Sequence, residues 1–385
     1  MINSWIRLNR AWFASALMTL SAVATSNVFA EVKLNQNLVL SGFAAQSYVK
    51  SWDTPYMSDN SLQGDWDFRE ISANLNWQVT RQLRFHGQVI SQRLGELNDG
   101  DPQVDFLLAE WNHSAQDYNL GVRLGRVKTP YGLLNTVRDL PSARPGFALP
   151  SAIYLEGLRD MMLSTDGVNG YAQWFHPSGD FELDVYLGKR EVSDESLERQ
   201  YLQRDIAGGD FDDITKKGAR LHFSPAGVPE LTLGASWLNI DAEFVGDLAL
   251  QVDSHFYLAS AQYYCRQFEM RAEYAQGGNE VSLGASRLDL PSDGYYAQFG
   301  WSVFPNFTAF VTHEHYERTR NNGIGLNKQT ANTLGLRWQF AKNWSLNSHY
   351  SYVRGSVLLP VYNDQVSGEA ADDWRYWGST LSYQF

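Results

Sequence analysis

The stretch Glu70–Val89, which reads E-I-S-A-N-L-N-W-Q-V-T-R-Q-L-R-F-H-G-Q-V, has a pattern that recurs along most of the chain. Every second residue of its first half is apolar, namely Ile71, Ala73, Leu75, Trp77 and Val79. After the turn at 80–82, the alternation resumes with Leu83, Phe85, Gly87 and Val89 on one side. Successive side chains of a strand point to opposite faces, so the stretch predicts two antiparallel strands with one apolar and one polar face.

We predict sixteen such strands, at 38–49, 68–79, 83–92, 104–112, 118–126, 167–175, 181–190, 217–223, 231–240, 254–264, 268–276, 294–303, 307–316, 331–340, 344–353 and 374–385. The gaps after the odd-numbered strands are long, and those after the even-numbered strands are short. An even strand number with short turns at one end and long loops at the other is typical of bacterial outer-membrane barrels. The predicted fold class is therefore all-β: a transmembrane antiparallel up-and-down β-barrel of about 16 strands.

Aromatic residues support this interpretation, because the chain holds 13 Trp, 20 Tyr and 20 Phe and many of them adjoin the short gaps. These residues are Trp111, Trp174, Phe175, Phe223, Phe268, Trp301, Phe304, Phe307, Trp338, Phe340 and Trp344. A soluble β-sandwich would not place its core aromatics at the same end of nearly every hairpin. The positions therefore favour an interfacial girdle at the short-turn end of a barrel.

The first thirty residues have the features of a cleaved signal peptide. Arg7 and Arg10 form a basic region, Ala11–Ala24 an apolar region, and Val28-Phe29-Ala30 a small-residue cleavage site. The apolar region is too short for a membrane anchor. We predict a signal peptide at 1–30 and one barrel domain at 31–385, because no linker divides the remainder.

Charge and cysteine content narrow the function classes. Without the predicted signal peptide the chain has 29 basic and 43 acidic residues, a formal charge of −14, which argues against nucleic acid as a partner. The chain contains a single cysteine, Cys265, and so has no internal disulfide. Stability must then come from sheet closure or from a large core.

The last predicted strand has Trp377, Ser379, Leu381, Tyr383 and Phe385 on one face and ends on Phe385. In this respect the chain resembles Gram-negative outer-membrane proteins. Its sixteen strands and long third external loop resemble the trimeric porins. The resemblance implies that Tyr383 and Phe385 form a signal for the barrel assembly machinery, that outer-membrane lipid and lipopolysaccharide surround the barrel, and that it forms a homotrimer.

The third long gap begins with Gly125–Gly132, G-R-V-K-T-P-Y-G, which resembles the G-R-x-K-x-P-x-G stretch of the phosphate-selective porin family. Four prolines between 125 and 154 exclude a strand interior or a long helix there. The porin resemblance implies that loop 127–166 folds into the lumen and narrows it. A sixteen-stranded barrel is wide enough to admit such a loop.

The predicted pore-constriction residues are Arg126, Lys128, Arg138, Asp139, Arg144, Glu156, Arg159 and Asp160. Five bases against three acids give this set a charge of +2, and rings of Arg and Lys favour anions. An alternative of equal weight is that these charges pair with one another or with the wall and only anchor the loop.

Residue parity also predicts the charges on the lumen wall: Glu70, Arg84, Glu110, Arg123, Glu182, Asp184, Arg220, Glu269, Arg271, Glu273 and Arg337. Their signs are mixed, which suits a general diffusion pore better than a phosphate channel. We therefore predict passive diffusion of small hydrophilic solutes and ions, with a weak anion preference. The alternative is a substrate-specific channel for phosphate, a sugar or an organic acid.

Other chemistry has weaker support, and we expect neither cofactor nor metal. The acid-rich loop Glu191–Lys217 could bind a divalent cation, but a solvated external loop is the favoured interpretation. His313 and His315 fit a polar lumen or rim pair better than a metal site. The chain has no G-x-S-x-G or H-E-x-x-H segment, and His222 and His349 fall on polar faces, so an outer-membrane lipid hydrolase is a less favoured alternative to a non-enzyme.

Overall fold

The computed structural model describes residues 32–190, 209–246, 250–319, 326–360 and 371–385. The predicted signal peptide and most of the acid-rich loop at 191–217 lie outside these ranges. The strands are β1 (Val32–Asn35), β2 (Leu38–Trp52), β3 (Asp65–Gln78), β4 (Leu83–Leu94), β5 (Asp99–Ser114), β6 (Tyr118–Lys128), β7 (Ser164–His176), β8 (Gly179–Arg190), β9 (Gly209–Pro225), β10 (Leu231–Gly246), β11 (Leu250–Cys265), β12 (Phe268–Leu283), β13 (Ser286–Phe304), β14 (Phe307–Thr319), β15 (Leu326–Ala341), β16 (Trp344–Arg354) and β17 (Asp373–Gln384).

Strands β2 to β17 form a closed barrel. Each pairs antiparallel with the next, and β17 pairs with β2 over ten residues, from Phe43↔Gln384 to Trp52↔Arg375. The short β1 pairs with the start of β2. Closure gives each of these sixteen strands a hydrogen-bonded neighbour on both sides, so the ring of strands has no edge strand. The predicted fold class and the strand count of sixteen are confirmed.

The two faces of the barrel differ in character, as β12 illustrates. Phe268, Met270, Ala272 and Tyr274 are exposed and point outward, whereas the intervening Glu269, Arg271 and Glu273 are buried and point inward. Among the described residues, no helix has the length and apolar character needed to span a membrane. The short helices at Asp59–Leu62, Asn135–Val137, Pro141–Ala143 and Arg159–Leu163 all lie in loops.

Several strands are longer than predicted, because their polarity inverts partway along. In β10, Leu233 and Trp237 point outward, but from 238 to 244 the apolar side chains are the inward Leu238, Ile240, Ala242 and Phe244. The pairing with β11 runs without a bulge through this point, so the strand continues while the environment of its outer face changes. The apolar outer band therefore ends near Trp237.

Apolar side chains fill much of the barrel interior at the long-loop end. One cluster joins the inward ends of β9 to β12, including Ile214, Ile240 and Val252, to residues 131–162 of the third long loop. A second cluster joins Met57, Phe68 and Trp374 to Phe147 on the other side. These clusters provide the wall against which the third loop packs.

Candidate functional site: the loop inside the barrel

Residues 129–163, which we call the inner loop, contact strands on opposite sides of the barrel. The inner loop bonds to Glu70 on β3, Ser236 on β10, Glu314 on β14, Asn347 on β16 and Gln384 on β17. A segment that touches opposite sides of a closed barrel lies within it. The inner loop therefore crosses the lumen.

Two apolar contacts pack the inner loop closely against the barrel wall. Phe147 lies directly over Gly378 of β17, where an added Cβ would stand only 2.4 Å from the Phe147 Cγ. On the opposite side, Tyr154 and Met161 are fully buried in the cluster formed with β9 to β12. The loop thus packs like a piece of protein core, at the close density of an interior.

Glu273 of β12 is the hydrogen-bonding centre of the second contact. Its carboxylate accepts bonds from the Leu133 amide (2.9 Å), the Tyr154 hydroxyl (2.5 Å), the Ser260 hydroxyl (2.7 Å) and the Tyr296 hydroxyl (2.9 Å). Four donors satisfy a buried carboxylate whose described contacts include no cation. Gly132, with a φ of +61°, lets the backbone turn close to this group.

A network of buried ion pairs runs through the centre of the inner loop. Arg138 Nη2 lies 2.8 Å from Glu156 Oε1, and Arg159 contacts both Glu156 and Asp139. Lys128 Nζ completes the chain at 2.9 Å from Asp139 and 3.2 Å from Asp105 of β5. A further pair fixes the loop to β3, where Arg144 Nη2 lies 2.6 and 2.5 Å from the two Glu70 oxygens.

Two acids of the inner loop, Asp139 and Glu156, remain ionised despite their burial. Burial by itself disfavours the Glu156 carboxylate, but the guanidinium groups of Arg138 and Arg159 outweigh it and lower its pKa to about 2. Burial is outweighed at Asp139 as well, where Lys128 and Arg159 hold the pKa well below its usual range. The pairs that Glu156 and Asp139 form with Arg138, Arg159 and Lys128 are therefore charged.

This arrangement changes the role predicted for the loop's bases. Arg138, Arg144 and Arg159 are buried and paired with acids, so they anchor the loop and do not present positive charge to a pore. Arg126 lies on the outward face beside Leu107, in a two-bond pair with Asp166 at 2.8 and 2.9 Å. Its parity is opposite to that of the inward Arg123, so its placement in the constriction was wrong. The Asp160 side chain lies outside the described residues.

The predicted lumen-wall residues Glu70, Arg84, Glu110, Arg123, Arg220, Arg271 and Arg337 lie on the inward face of their strands. Several pair with inward neighbours: Arg220 Nη2 lies 2.8 Å from both Glu182 and Asp184, and Arg337 Nη2 lies 3.3 Å from Glu269. The wall therefore presents mixed charges in cross-strand pairs.

A cavity of about 240 Å³ remains between the inner loop and the wall formed by β4 to β9. Its lining combines bases, acids and apolar residues: His86, Phe106, Leu108, Glu110, Arg123, Val127, Lys128, Pro130, Thr136, Asp184 and Arg220. Sequence reasoning identified most of the charged members singly. It missed their meeting with the edge of the loop, which depends on how the loop crosses the lumen.

The histidines singled out from the sequence lie on different faces. His313 is exposed on the outward face of β14, where its Nδ1 lies 2.9 Å from Asn332 Oδ1, and His315 lies on the same face beside Tyr295. The lumen part of their interpretation as a polar lumen or rim pair was wrong, because Thr312 and Glu314 take the inward positions, and the rim alternative stays a prediction. In the described part of the chain, no group of three or more His, Cys, Asp or Glu side chains is arranged to hold a metal ion.

No family model and no curated protein sequence matches the chain. Solved structures do match its fold. OmpT, an outer-membrane protein of Vibrio cholerae, matches with a TM-score of 0.60 at 13% identity, over 92% of this chain and 100% of that one. A trimer form of OmpT matches with a TM-score of 0.58 at 13% identity, over 90% and 99%.

Two further structures match over nearly their whole length. An anion-selective porin from Comamonas acidovorans matches with a TM-score of 0.57 at 13% identity, over 90% of this chain and 99% of that one. OmpF of Salmonella typhi, in complex with daunomycin, matches with a TM-score of 0.57 at 15% identity, over 92% and 100%. The chain therefore has the sixteen-stranded β-barrel fold of the Gram-negative outer-membrane porins.

Proposed function

We propose that the chain is an outer-membrane porin that lets small hydrophilic solutes and ions diffuse down their gradients, without covalent chemistry. The observation that carries this proposal is a closed barrel whose outer band is apolar while its inner wall is polar and charged. Such a wall is compatible with water and solutes inside, and the apolar band with lipid outside. Any anion preference comes from accessible wall bases such as Arg123, since the loop's bases are neutralised.

Conductance tests this proposal directly. Purified protein inserted into a planar bilayer should conduct in discrete, stable steps, and the same preparation after heat denaturation should not. The reversal potential across a salt gradient would then report ion preference. Complete absence of conductance across voltage, pH and salt conditions would contradict the porin proposal.

The homotrimer predicted from the porin resemblance also stays a proposal, supported by polar residues that interrupt the apolar outer band. On β6 and β8 the outward positions are apolar over four successive places, for example Tyr118 to Leu124. On β14 to β17 and β2, His313, Asn332, Ser348, Ser379 and Gln46 break the band earlier. We call these five residues the polar stripe.

The height of the polar stripe places it within the expected apolar band of the barrel. His313 stands six residues above Phe307, or ~16 Å along the membrane normal for a strand rising ~3.4 Å per residue and tilted by ~40°, within an apolar band ~25 Å tall. Polar side chains facing hydrocarbon are costly, so protein is the favoured neighbour of this face. The outward face of β14 to β17 and β2 is the proposed subunit contact.

A matched pair of variants tests this contact. Ser379 and Val122 both stand four residues above an aromatic girdle residue, Tyr383 and Tyr118 respectively. Ser379→Trp should disrupt the trimer, whereas Val122→Trp should be tolerated in lipid; chemical crosslinking in mild detergent measures both. A trimer unaffected by either substitution would exclude the polar stripe as the contact.

The partners expected at the membrane remain proposals. Outward ion pairs such as Arg93–Asp67 and Arg126–Asp166 lie beyond the apolar band, at the level where lipopolysaccharide headgroups would contact the barrel. Phe385 closes the barrel through two backbone bonds with Gly42, each 2.9 Å, as a strand read by the assembly machinery would.

A lipid hydrolase is the less favoured alternative. His222 and His349 both lie on the inward face, and His349 is buried against Phe147 and Tyr376 of the interior. A Ser/His pair that attacks membrane phospholipid would have to face lipid. Release of fatty acid from phospholipid by the purified barrel would restore this alternative.

A further inference from the structure

We propose that the cavity between the inner loop and the β4 to β9 wall is a binding subsite for a small organic monocarboxylate with a short apolar tail. The inference rests on the proposed porin function and names a solute class for it. We call this space the loop–wall cavity; its volume is about 240 Å³.

In the lining of the loop–wall cavity, the basic side chains are more accessible than the acidic ones. The side chain of Arg123 is 32% accessible and that of Lys128 18%, against 10% for Glu110 and 3% for Asp184. Both acids already have partners in the protein: Glu110 accepts a bond from the Tyr171 hydroxyl at 2.6 Å, and Asp184 is bound by Arg220. A ligand entering the cavity therefore meets donors first.

The contacts described for Arg123 and Arg220 do not use all the N–H groups of these two side chains. In the described part of the chain, the contacts of Arg123 use Nε and Nη1, to Glu110, Asn169 and Asp184. Arg220 is nine-tenths buried in the cavity wall, and within the described residues its Nε has no hydrogen-bond partner. A carboxylate oxygen can accept a charge-assisted hydrogen bond from such a guanidinium donor.

The apolar part of the cavity lining distinguishes a carboxylate with a tail from a bare inorganic anion. Phe106, Leu108, Val127 and Pro130 add apolar surface beside the bases, and Lys128 Nζ lies 5.4 Å from the centre of the Phe106 ring. An apolar tail buried there gains free energy by leaving water, whereas phosphate would lose hydration at that surface without gaining contacts. Pockets with an apolar lining and a few convergent polar groups are typical of small-molecule sites.

The position of the cavity links binding to transport. Thr136, at the edge of the inner loop, lies on one side of the cavity, and β4 to β9 form the other side. Other contacts of the inner loop bind it to β12, β16 and β3. A solute that passes the inner loop on this side would occupy the cavity on its way. Occupancy should therefore block the flow of other ions, and the block should saturate.

Single-channel recording in planar bilayers with added butyrate tests the subsite, with butyramide, butylammonium and inorganic phosphate as comparisons. Butyrate should reduce the potassium chloride current saturably, and the other three should not do so at equal concentration. Arg123→Gln should weaken the block by about tenfold or more, since a charge-assisted bond is lost. Arg337→Gln, a wall base outside this cavity, should leave the block unchanged.

A second pair of variants tests the subsite without altering Arg123 or its ion pairs. Thr136→Glu should repel butyrate from the cavity, whereas Ser142→Glu, on another part of the loop, should not. Conducting channels that butyrate does not block, or that butyramide or phosphate blocks equally, would overturn the subsite while leaving the porin proposal standing. Wild-type protein that never conducts would overturn both.

Discussion

The pair between Arg144 and Glu70 should hold the inner loop in place. Both side chains are almost fully buried, and Arg144 Nη2 contacts both carboxylate oxygens at 2.6 and 2.5 Å. Glu70→Gln would leave the Arg144 charge buried without its partner. Removing one member of a buried pair costs about 3–5 kcal/mol, or roughly two to three and a half orders of magnitude in the ratio of docked to undocked loop.

The cost should fall on the loop and not on the barrel, because the cross-strand bonds of β3 with β2 and β4 do not depend on Arg144. We expect Glu70→Gln and Arg144→Met each to give larger and noisier single-channel currents. The double variant, which buries no unpaired charge, should recover most of the wild-type behaviour. Barrel stability, read from the temperature at which the folded band is lost on a gel, should change little.

Arg375→Gln is the matched control, since the Arg375–Asp53 pair is about half exposed and such pairs contribute little. Single variants that conduct with wild-type amplitude and noise would refute an anchoring role for the Arg144–Glu70 pair. A double variant as disturbed as the single variants would refute the buried-charge explanation and point to lost packing.

Three further predictions follow from the contacts of the inner loop and of the last strand. Gly378→Val should displace Phe147 and increase current noise, since even a Cβ at this position would stand 2.4 Å from its ring; unchanged noise would show that the ring can move aside. Acidification should release the loop: the pKa of Glu156 is lowered to about 2 from an ordinary value of about 4.3, so its contribution is complete above about pH 4.5 and is lost towards pH 2. Currents that stay quiet down to pH 2 would contradict this. Deleting Phe385 should reduce assembled barrel more than Phe385→Ala does, because only the deletion removes both backbone bonds to Gly42; equal yields on a heat-modifiability gel would contradict it.

Strand number, strand direction and the two faces of the barrel were readable from the sequence. Alternation along β3 and β4 identified the outward residues correctly, from Ile71 to Val89, because a strand's side-chain period is two and lipid requires an unbroken apolar face. The ends of strands were not readable. In β10 the apolar positions move from the outward face, at Trp237, to the inward face, at Leu238, without a break in pairing. A prediction that follows apolar residues on one face therefore ends the strand too early, where its outer face leaves the apolar band.

What the sequence by itself determined about this protein is its barrel, since every strand carries the signal in its own residues. The role of the inner-loop charges was decided only by the tertiary structure. Arg138, Arg144 and Arg159 could have lined a pore or formed ion pairs, and the choice depended on Glu156, Glu70 and Asp139, which are 18 to 74 positions away in the chain. Local alternation carries no information about such pairs, because a loop inside a barrel meets strands from every part of the sequence.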